Sequence, residues 1–276
     1  MRQRHRRYLD AMGIQVWEPR ASRNGITSAV DRAEEESRRP VTGGDARSGH
    51  SLSPRELGPL TRAPHNDAMA ERARRVARMG WSELESQVSE CTACNLHTTR
   101  TQAVFGIGNQ TAEWMIVGEA PGADEDRLGE PFVGRAGKLL DAMLLALGLR
   151  REQVYIANIL KSRPPNNRDP RPDEVQACWP FLLRQIRLVE PGIILAVGRI
   201  AAQNLLLTDL PVGKLRGRVH RFGECKIPVV VSYHPAYLLR APAEKQKVWE
   251  DLQLAQRILN DDRSISTASA LRHDES

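Results

Sequence analysis

The run AEWMIVGEA, residues 112–120, is a short apolar segment that ends in Gly118 and Glu119. Three later runs share its character: VYIANILK (154–161), GIILAVG (192–198) and PVVVSYH (228–234). Each is brief, rich in branched aliphatic residues and bounded by turn residues, which is typical of a strand buried in a parallel sheet. The sequence therefore predicts four such strands.

Helical patterns lie between these runs. The segment RAGKLLDAMLLALG (135–148) places five apolar residues on one face: Leu139, Leu140, Met143, Leu144 and Leu147. PDEVQACWPFLLRQIRLVEP (172–191) opens with a proline and two acids that favour a helix start. RIAAQNLL and EKQKVWEDLQLAQRIL continue the alternation. We predict an α/β fold, with three α/β/α layers around a central, mainly parallel four-stranded sheet.

The apolar residues are unevenly distributed along the chain. We assign one domain to residues 80–260 and expect a disordered tail over 261–276. Residues 21–75 are rich in Gly, Pro, Ser and charge, and we predict a disordered linker there. The island RRYLDAMGIQVWEPR within residues 1–20 is predicted to be a docking peptide on that tether.

Composition limits the class of protein. The formal net charge of +6 favours anionic partners, nucleic acid first. No apolar run approaches the ~20 residues of a membrane span, and no signal-peptide core follows the basic start. We expect a cytoplasmic monomer that does not bind membranes. Four cysteines in 276 residues do not indicate a disulfide scaffold.

Each of three predicted strands ends in a distinctive polar residue: Glu119, Asn158 and His234. Ligands of parallel sheets bind beyond the carboxyl ends of the strands, so the three side chains are candidates for one site. Taken singly, the asparagine is as consistent with a turn cap and the histidine with a structural role. Their convergence indicates function.

Two neighbouring segments add candidates. The loop GEAPGADEDRLGEPFVGRAG (118–137) holds five glycines, five acids including Glu125, and the isolated aromatic Phe132. Its Asp-Glu-Asp run at 124–126 also fits a merely solvated acidic loop. The segment after Asn158 carries three cations that suit phosphates, unless they are only solvated: Lys161, Arg163 and Arg168.

These motifs together resemble the family 4, iron–sulfur uracil-DNA glycosylases over roughly residues 85–258. The resemblance rests on CTACNLH, VFGIGN, GEAPGADED, PFVGRAGKLL, NILKSRPPNNR, the helix with Cys178, and YHPAYLLR. It implies that an extruded uracil stacks on Phe132 and is read by Asn158. It further implies that Glu119 positions or activates the attacking water, and that His234 stabilises the charge that builds on the departing base.

The same resemblance places other residues around the DNA. It implies that Glu125 shapes the pocket near the 5-position of the base, and that Leu238, Leu239 and Arg240 lie in a loop against the DNA. A related branch links covalently to the abasic sugar through an inserted basic loop. VGRAGK after Phe132 contains no such insert, which predicts a turnover enzyme.

The resemblance also implies a [4Fe–4S] cluster held by four cysteines. Cys91, Cys94 and Cys178 match three of them, and Ser162 occupies the fourth position. The serine or a water could complete the site, Cys225 could reach in, or the cluster could be absent; a zinc site is the alternative for a lone C-x-x-C. We favour a bound but labile cluster.

The N-terminal island resembles the peptide of the psi subunit of the DNA polymerase III clamp loader. The resemblance, over residues 6–20, rests on Arg6, Arg7, Leu9, Met12, Gly13, Ile14, Trp17 and Arg20. It implies tethering to the replication machinery, although the island could instead pack on the domain. Two alternatives to a glycosylase remain: a replisome-associated DNA-binding protein with weak or lost catalysis, and a dinucleotide-binding module.

Overall fold

The computed structural model describes residues 64–273. The predicted docking peptide, residues 1–20, and most of the predicted linker lie outside the described residues. Helix α1 (Pro64–Val76) occupies the end of the predicted linker, and the final helix α9 (Lys245–His273) runs through most of the predicted tail. Both boundaries correct the sequence prediction. For α1 the reason is local, because PHNDAMAERARRV is rich in the helix formers Ala, Arg and Glu.

The described residues contain one six-stranded sheet with the order β1-β3-β2-β4-β6-β5. Its strands are β1 (Ile107–Gly108), β2 (Trp114–Gly118), β3 (Tyr155–Asn158), β4 (Ile193–Val197), β5 (Val219–Phe222) and β6 (Ile227–Ser232). Strands β3, β2, β4 and β6 pair in parallel, which confirms the predicted four-stranded centre. The edge strands β1 and β5 pair antiparallel and were not predicted. Cys225 lies in the β5–β6 turn.

Helices cover both faces of this sheet. The remaining helices are α2 (Trp81–Ser89), α3 (Ala123–Leu128), α4 (Arg135–Ala146), α5 (Pro172–Val189), α6 (Arg199–Leu206), α7 (Val212–Leu215) and α8 (Pro235–Arg240). Ile116 packs in one core cluster with residues of α4 and α9, while its neighbour Met115 packs in another with residues of α5 and α6. This alternation along β2 produces the predicted three layers. No helix in the described part is long and apolar enough to cross a membrane.

The strand order brings the candidate side chains together. Strand β2 lies between β3 and β4, so the chain leaves β2 towards one side of the sheet and later returns on the other. Such a reversal opens a crevice at the carboxyl ends of the strands. Gly118 at the end of β2 pairs with Asn158 at the end of β3, and Val197 pairs with Ser232.

Candidate active site at the strand ends

A cavity of about 450 Å³ lies at this edge of the sheet, and we call it the strand-end cavity. Its volume is in the range of about 300–1,000 Å³ that is usual for ligand sites. Glu119, Asn158, His234 and Phe132 all line it, as does Glu125. The structure thus places the strand-end residues and the loop aromatic around one space.

Asn158 presents an unsatisfied hydrogen-bond acceptor. Its side chain is 2% exposed, and its Oδ1 has no hydrogen-bond partner. Buried polar atoms are nearly always paired, so an orphaned acceptor on a residue that lines a cavity indicates that a ligand supplies the donor. The neighbouring Gly118 leaves room for this amide: a Cβ on Gly118 would stand 2.4 Å from Oδ1.

Phe132 is held in an unusual backbone conformation. Its φ is 55°, a left-handed value that is strained for an aromatic residue, so its surroundings must maintain it. Arg151 donates to its carbonyl at 3.2 Å, and Gly137 allows that carbonyl to approach helix α4. The ring is 6% exposed and stacks on His234 with centroids 5.5 Å apart. Phe132 therefore forms one wall of the cavity.

Two acids of the glycine-rich loop are structural. Glu125 accepts hydrogen bonds from the backbone N–H groups of Gly122, Val133 and Gly134 at 3.0–3.1 Å, which closes the loop around Phe132. Asp126 is 3% exposed and accepts from the N–H of Thr101 at 2.9 Å. The solvated-loop interpretation is therefore wrong for Asp126, whose partner lies 25 residues earlier in the chain.

Burial changes the acidity of the two candidate catalytic groups in opposite directions. It raises the pKa of Glu119, which the carboxylate of Asp169 reinforces and the Arg199 guanidinium opposes. It lowers the pKa of His234 to about 4, with a smaller contribution from Arg240. His234 is therefore neutral at pH 7. Because its Nδ1 accepts from the N–H of Ala236 at 3.1 Å, the ring proton resides on Nε2.

The predicted phosphate contacts divide into two groups. Lys161 is 1% exposed, and its Nζ donates to the Asn158 carbonyl at 3.0 Å and to Gln185 Oε1 at 2.6 Å. Burial lowers the pKa of Lys161 to about 7. The prediction that Lys161 contacts DNA is therefore corrected, because a side chain enclosed in the core cannot reach a phosphate. Arg163 and Arg168 retain partial exposure.

The segment after His234 is divided in the same way. Leu238 is 1% exposed and belongs to the core, which corrects its predicted place against DNA. Leu239 is 39% exposed, and Arg240 is exposed at the cavity. Arg168 also lines the cavity while its guanidinium pairs with the buried Glu174 at 2.5 Å. Arg168 and Arg240 therefore line the cavity, and the exposed Leu239 stands next to Arg240 in the chain.

Cys91, Cys94, Cys178 and Ser162, which we call the cysteine site, lie away from the cavity lining. Cys178 is buried, and its Sγ accepts from the N–H of Lys161 at 3.5 Å. Burial raises the pKa of Cys178 to about 11, with smaller contributions from the other two thiols. Burial also raises the pKa of Cys94. The cysteines are thus near enough to influence one another.

Two arginines contact the cysteine site. Arg72 Nη2 donates to Cys91 Sγ at 3.6 Å, while its Nη1 donates to the carbonyl of Ala177. Arg100 Nη1 donates to Ser162 Oγ at 2.9 Å. Three thiols and an N–H···S bond suit an iron–sulfur cluster, whereas a hydroxyl engaged by a guanidinium does not suit its fourth ligand. Among the described residues, no group of three or more His, Cys, Asp or Glu side chains is arranged to hold a single metal ion.

Comparisons with known proteins agree with this arrangement. The family model described as "Uracil DNA glycosylase superfamily" matches residues 105–253, which span β1 to the first third of α9. That span contains every residue named above as lining the strand-end cavity. The fold and the site together define a member of this superfamily.

Individual relatives identify the family within this superfamily. A type-4 uracil-DNA glycosylase of Archaeoglobus fulgidus is 47% identical over 178 residues, covering 62% of this chain and 89% of the relative. Proteins of the same name from Thermotoga maritima and Pyrobaculum aerophilum are 43% and 41% identical, each covering 64% of this chain and 93% of the relative. The chain belongs to the type-4 uracil-DNA glycosylase family.

Proposed function

We propose that this protein is a uracil-DNA glycosylase, a hydrolase that removes uracil from DNA and so begins base excision repair. The carrying observation is that Asn158 lines a cavity walled by Phe132 and that its buried Oδ1 has no hydrogen-bond partner. Uracil offers an N3–H donor to that oxygen and an O4 acceptor to the amide nitrogen, while its π-face suits the phenyl ring. The base must leave the duplex stack to reach this depth.

Selectivity against cytosine follows from the same amide. Cytosine has no hydrogen on N3 and carries an amino group where uracil has O4. Against Asn158, an acceptor would therefore face an acceptor at N3, and a donor would face a donor at the amino group. A buried site that leaves polar groups unpaired discriminates strongly, often by factors of about 10⁴. Gly118 and the Lys161 contact to the Asn158 carbonyl hold the amide in place for this comparison.

The proposed reaction breaks the bond between the sugar C1′ and uracil N1, and water supplies the new bond to C1′. Positive charge develops on the sugar and negative charge on uracil. The Glu119 carboxylate orients the water and takes the proton that the water loses as its oxygen bonds to C1′; its raised pKa makes it a stronger base for this step. Glu119 then returns the proton to solvent, and the released uracil anion takes one up from solvent. His234 is neutral, and its Nε2–H donates a hydrogen bond to the uracil oxygen that gains negative charge. The proton stays on the imidazole.

DNA contacts are proposed for the accessible rim of the cavity. Arg168 and Arg240 line the cavity, and Leu239 is the exposed neighbour of Arg240 in the chain. Arg163 lies on the adjoining loop, where its Nε donates to Asn167 Oδ1 at 2.7 Å. Guanidinium groups suit the phosphates that flank an extruded nucleotide. The two residues between Phe132 and helix α4 are too few to form an inserted loop, so we propose turnover without a covalent protein–DNA intermediate.

The proposal is tested by uracil release from an oligonucleotide that contains one uracil. Wild-type protein should release the base, and Asn158→Ala should lose at least about 100-fold in kcat/KM, because two buried hydrogen bonds disappear. Asn204→Ala is the matched control: the Asn204 amide donates to Ile200 on α6, away from the cavity. No release by well-folded wild-type protein would refute the proposal and favour a DNA-binding protein without catalysis.

We also infer that Cys91, Cys94 and Cys178 hold an iron–sulfur cluster whose fourth position lacks a protein thiolate. When bound, the cluster would connect the segment before β1 with helix α5. No cysteine lines the strand-end cavity, so its role would be structural. Ser162 is engaged by Arg100, which supports a cluster that loses iron more easily than one held by four cysteines.

For the N-terminal segment we propose docking to a clamp-loader-like partner. Support comes from the apolar island in residues 6–20, which lies outside both the described residues and the superfamily match. Pull-down of replication proteins with the full chain and with Trp17→Ala tests this. Unchanged capture by the variant would contradict the proposed tether. The proposed place of action is the cytoplasm, where the protein would meet DNA.

A further inference from the structure

Asp251 lies at the centre of a buried polar network that joins helix α9 to the end of β6. Its side chain on helix α9 is fully buried. Its carboxylate accepts from Ser232 Oγ at 2.9 Å, from Arg216 Nε at 3.1 Å and from the Gly217 N–H at 3.2 Å. None of these four residues lines the strand-end cavity, and the proposed reaction does not use them.

The network leads directly to His234. Ser232 is the last residue of β6 and stands two positions before the histidine. Its hydroxyl is fixed by Asp251, and its carbonyl accepts from the N–H of Gly198 at 2.9 Å. A Cβ on Gly198 would lie 3.0 Å from the His234 Cβ, so the backbone that follows β4 packs closely against the His234 side chain.

Tyr233, the residue between Ser232 and His234, is held by the same network. Arg216, bound to Asp251, lies over the Tyr233 ring at 5.8 Å from its centroid. Tyr233 in turn packs against Tyr237 of α8, with centroids 5.1 Å apart. The chain on both sides of His234 is thus fixed to Asp251, through a hydroxyl on one side and through stacked side chains on the other.

A neutral histidine that donates one hydrogen bond must be placed accurately. Misplacement of a reacting group by about 1 Å reduces rate by about 100-fold. A buried ion pair contributes little net stability compared with apolar packing, so Asp251 and Arg216 are better explained by what they position than by what they stabilise.

We propose that Asp251 and Ser232 are positioning residues that set the location of His234 from helix α9. This inference rests on the proposed function for its kinetic effect, though not for its structural one. It predicts that loosening the Ser232 tether displaces the imidazole, while binding of DNA, which depends on other residues, is retained.

The test uses the full chain with Ser232→Ala, which removes the tether without leaving an unpaired charge. We expect kcat for uracil release to fall by about 10-fold or more, with KM changed less than about twofold. A second measurement records the ¹⁵N imidazole signals of histidine-labelled protein, assigned by comparison with His234→Asn. The His234 signal should shift or broaden in Ser232→Ala.

A matched control separates positioning from general loss of stability. Leu259→Ala truncates the same helix where Leu259 packs near Gly192, at the amino end of β4. Its kcat and His234 signal should equal those of the wild type. An unchanged His234 signal in Ser232→Ala, or a fall in kcat no greater than in the control, would overturn the inference. If wild-type protein releases no uracil, the imidazole signal alone decides it.

Discussion

The variant Gly118→Ala tests whether Asn158 and Phe132 operate as one fitted pair. Gly118 ends β2, and an added Cβ would stand 2.4 Å from Asn158 Oδ1 and 2.7 Å from two carbons of the Phe132 ring. Real Cβ contacts are essentially never shorter than 3.0 Å. The amide must therefore retreat by about 0.6 Å and the ring by about 0.3 Å, from positions that are already buried.

The expected cost follows from these displacements. A hydrogen bond near 2.9 Å that is stretched or bent by this amount loses much of its strength, and the ring moves at the same time. Misplacement by about 1 Å costs about 100-fold in rate, so we expect kcat/KM to fall by about 10- to 100-fold. Because the backbone at Gly118 has no positive φ, alanine introduces no backbone strain, and the fold should persist.

The assay compares single-turnover uracil release by wild type, Gly118→Ala and Gly80→Ala. A Cβ added to Gly80, the residue before α2, would have no neighbouring atom within 4 Å, so Gly80→Ala should match the wild type. Circular dichroism and melting temperature verify folding. Activity within twofold of wild type in a folded Gly118→Ala would refute the claim that the cavity walls are fitted closely.

Three further predictions concern titration, the cysteine site and the strained aromatic. Because burial lowers the pKa of His234 to about 4, the unfolded chain binds more protons than the folded chain between pH 6.5 and 4. The free energy of unfolding should therefore fall by about 1 kcal/mol when the pH is lowered from 7 to 5.5. This loss should shrink in His234→Asn and persist in the control His220→Asn. Ser162→Cys should increase the iron retained after gel filtration, measured by metal analysis and absorbance, whereas Cys225→Ser at the exposed turn should not; equal iron in Ser162→Cys and wild type would contradict the proposed missing ligand. Arg151→Met should raise KM for uracil-containing DNA severalfold by freeing the Phe132 carbonyl; an unchanged KM would show that Gly137 and the loop suffice to hold the ring.

The parallel strands were predictable because strands covered on both faces are short apolar runs. The carboxyl ends of these strands share one edge of the sheet, so Glu119, Asn158 and His234 could be assigned to one site from the sequence alone. The edge strands β1 and β5 escaped prediction for the converse reason. One has two residues, and the other, VHRF, is half exposed and lacks a continuous apolar pattern.

The errors at single residues have a common origin. Lys161 follows a strand and precedes two arginines, so its sequence context resembles a phosphate contact. Its partner Gln185 lies 24 residues away on α5, and no local pattern marks that pairing. Asp126 and Asp251 are likewise satisfied by distant donors. Leu238, by contrast, could have been recognised, because the first turn of a helix over a sheet commonly buries one of two adjacent leucines.

The empty acceptor of Asn158 has a consequence for attempts to make the protein more heat-resistant. A buried oxygen without a donor destabilises the free fold by about 1–3 kcal/mol, and an apolar residue of similar size at position 158 would relieve that penalty. Selection for melting temperature alone would therefore favour replacement of Asn158, the residue proposed to distinguish uracil from cytosine. Stability screens on this scaffold need substrate discrimination as a second criterion.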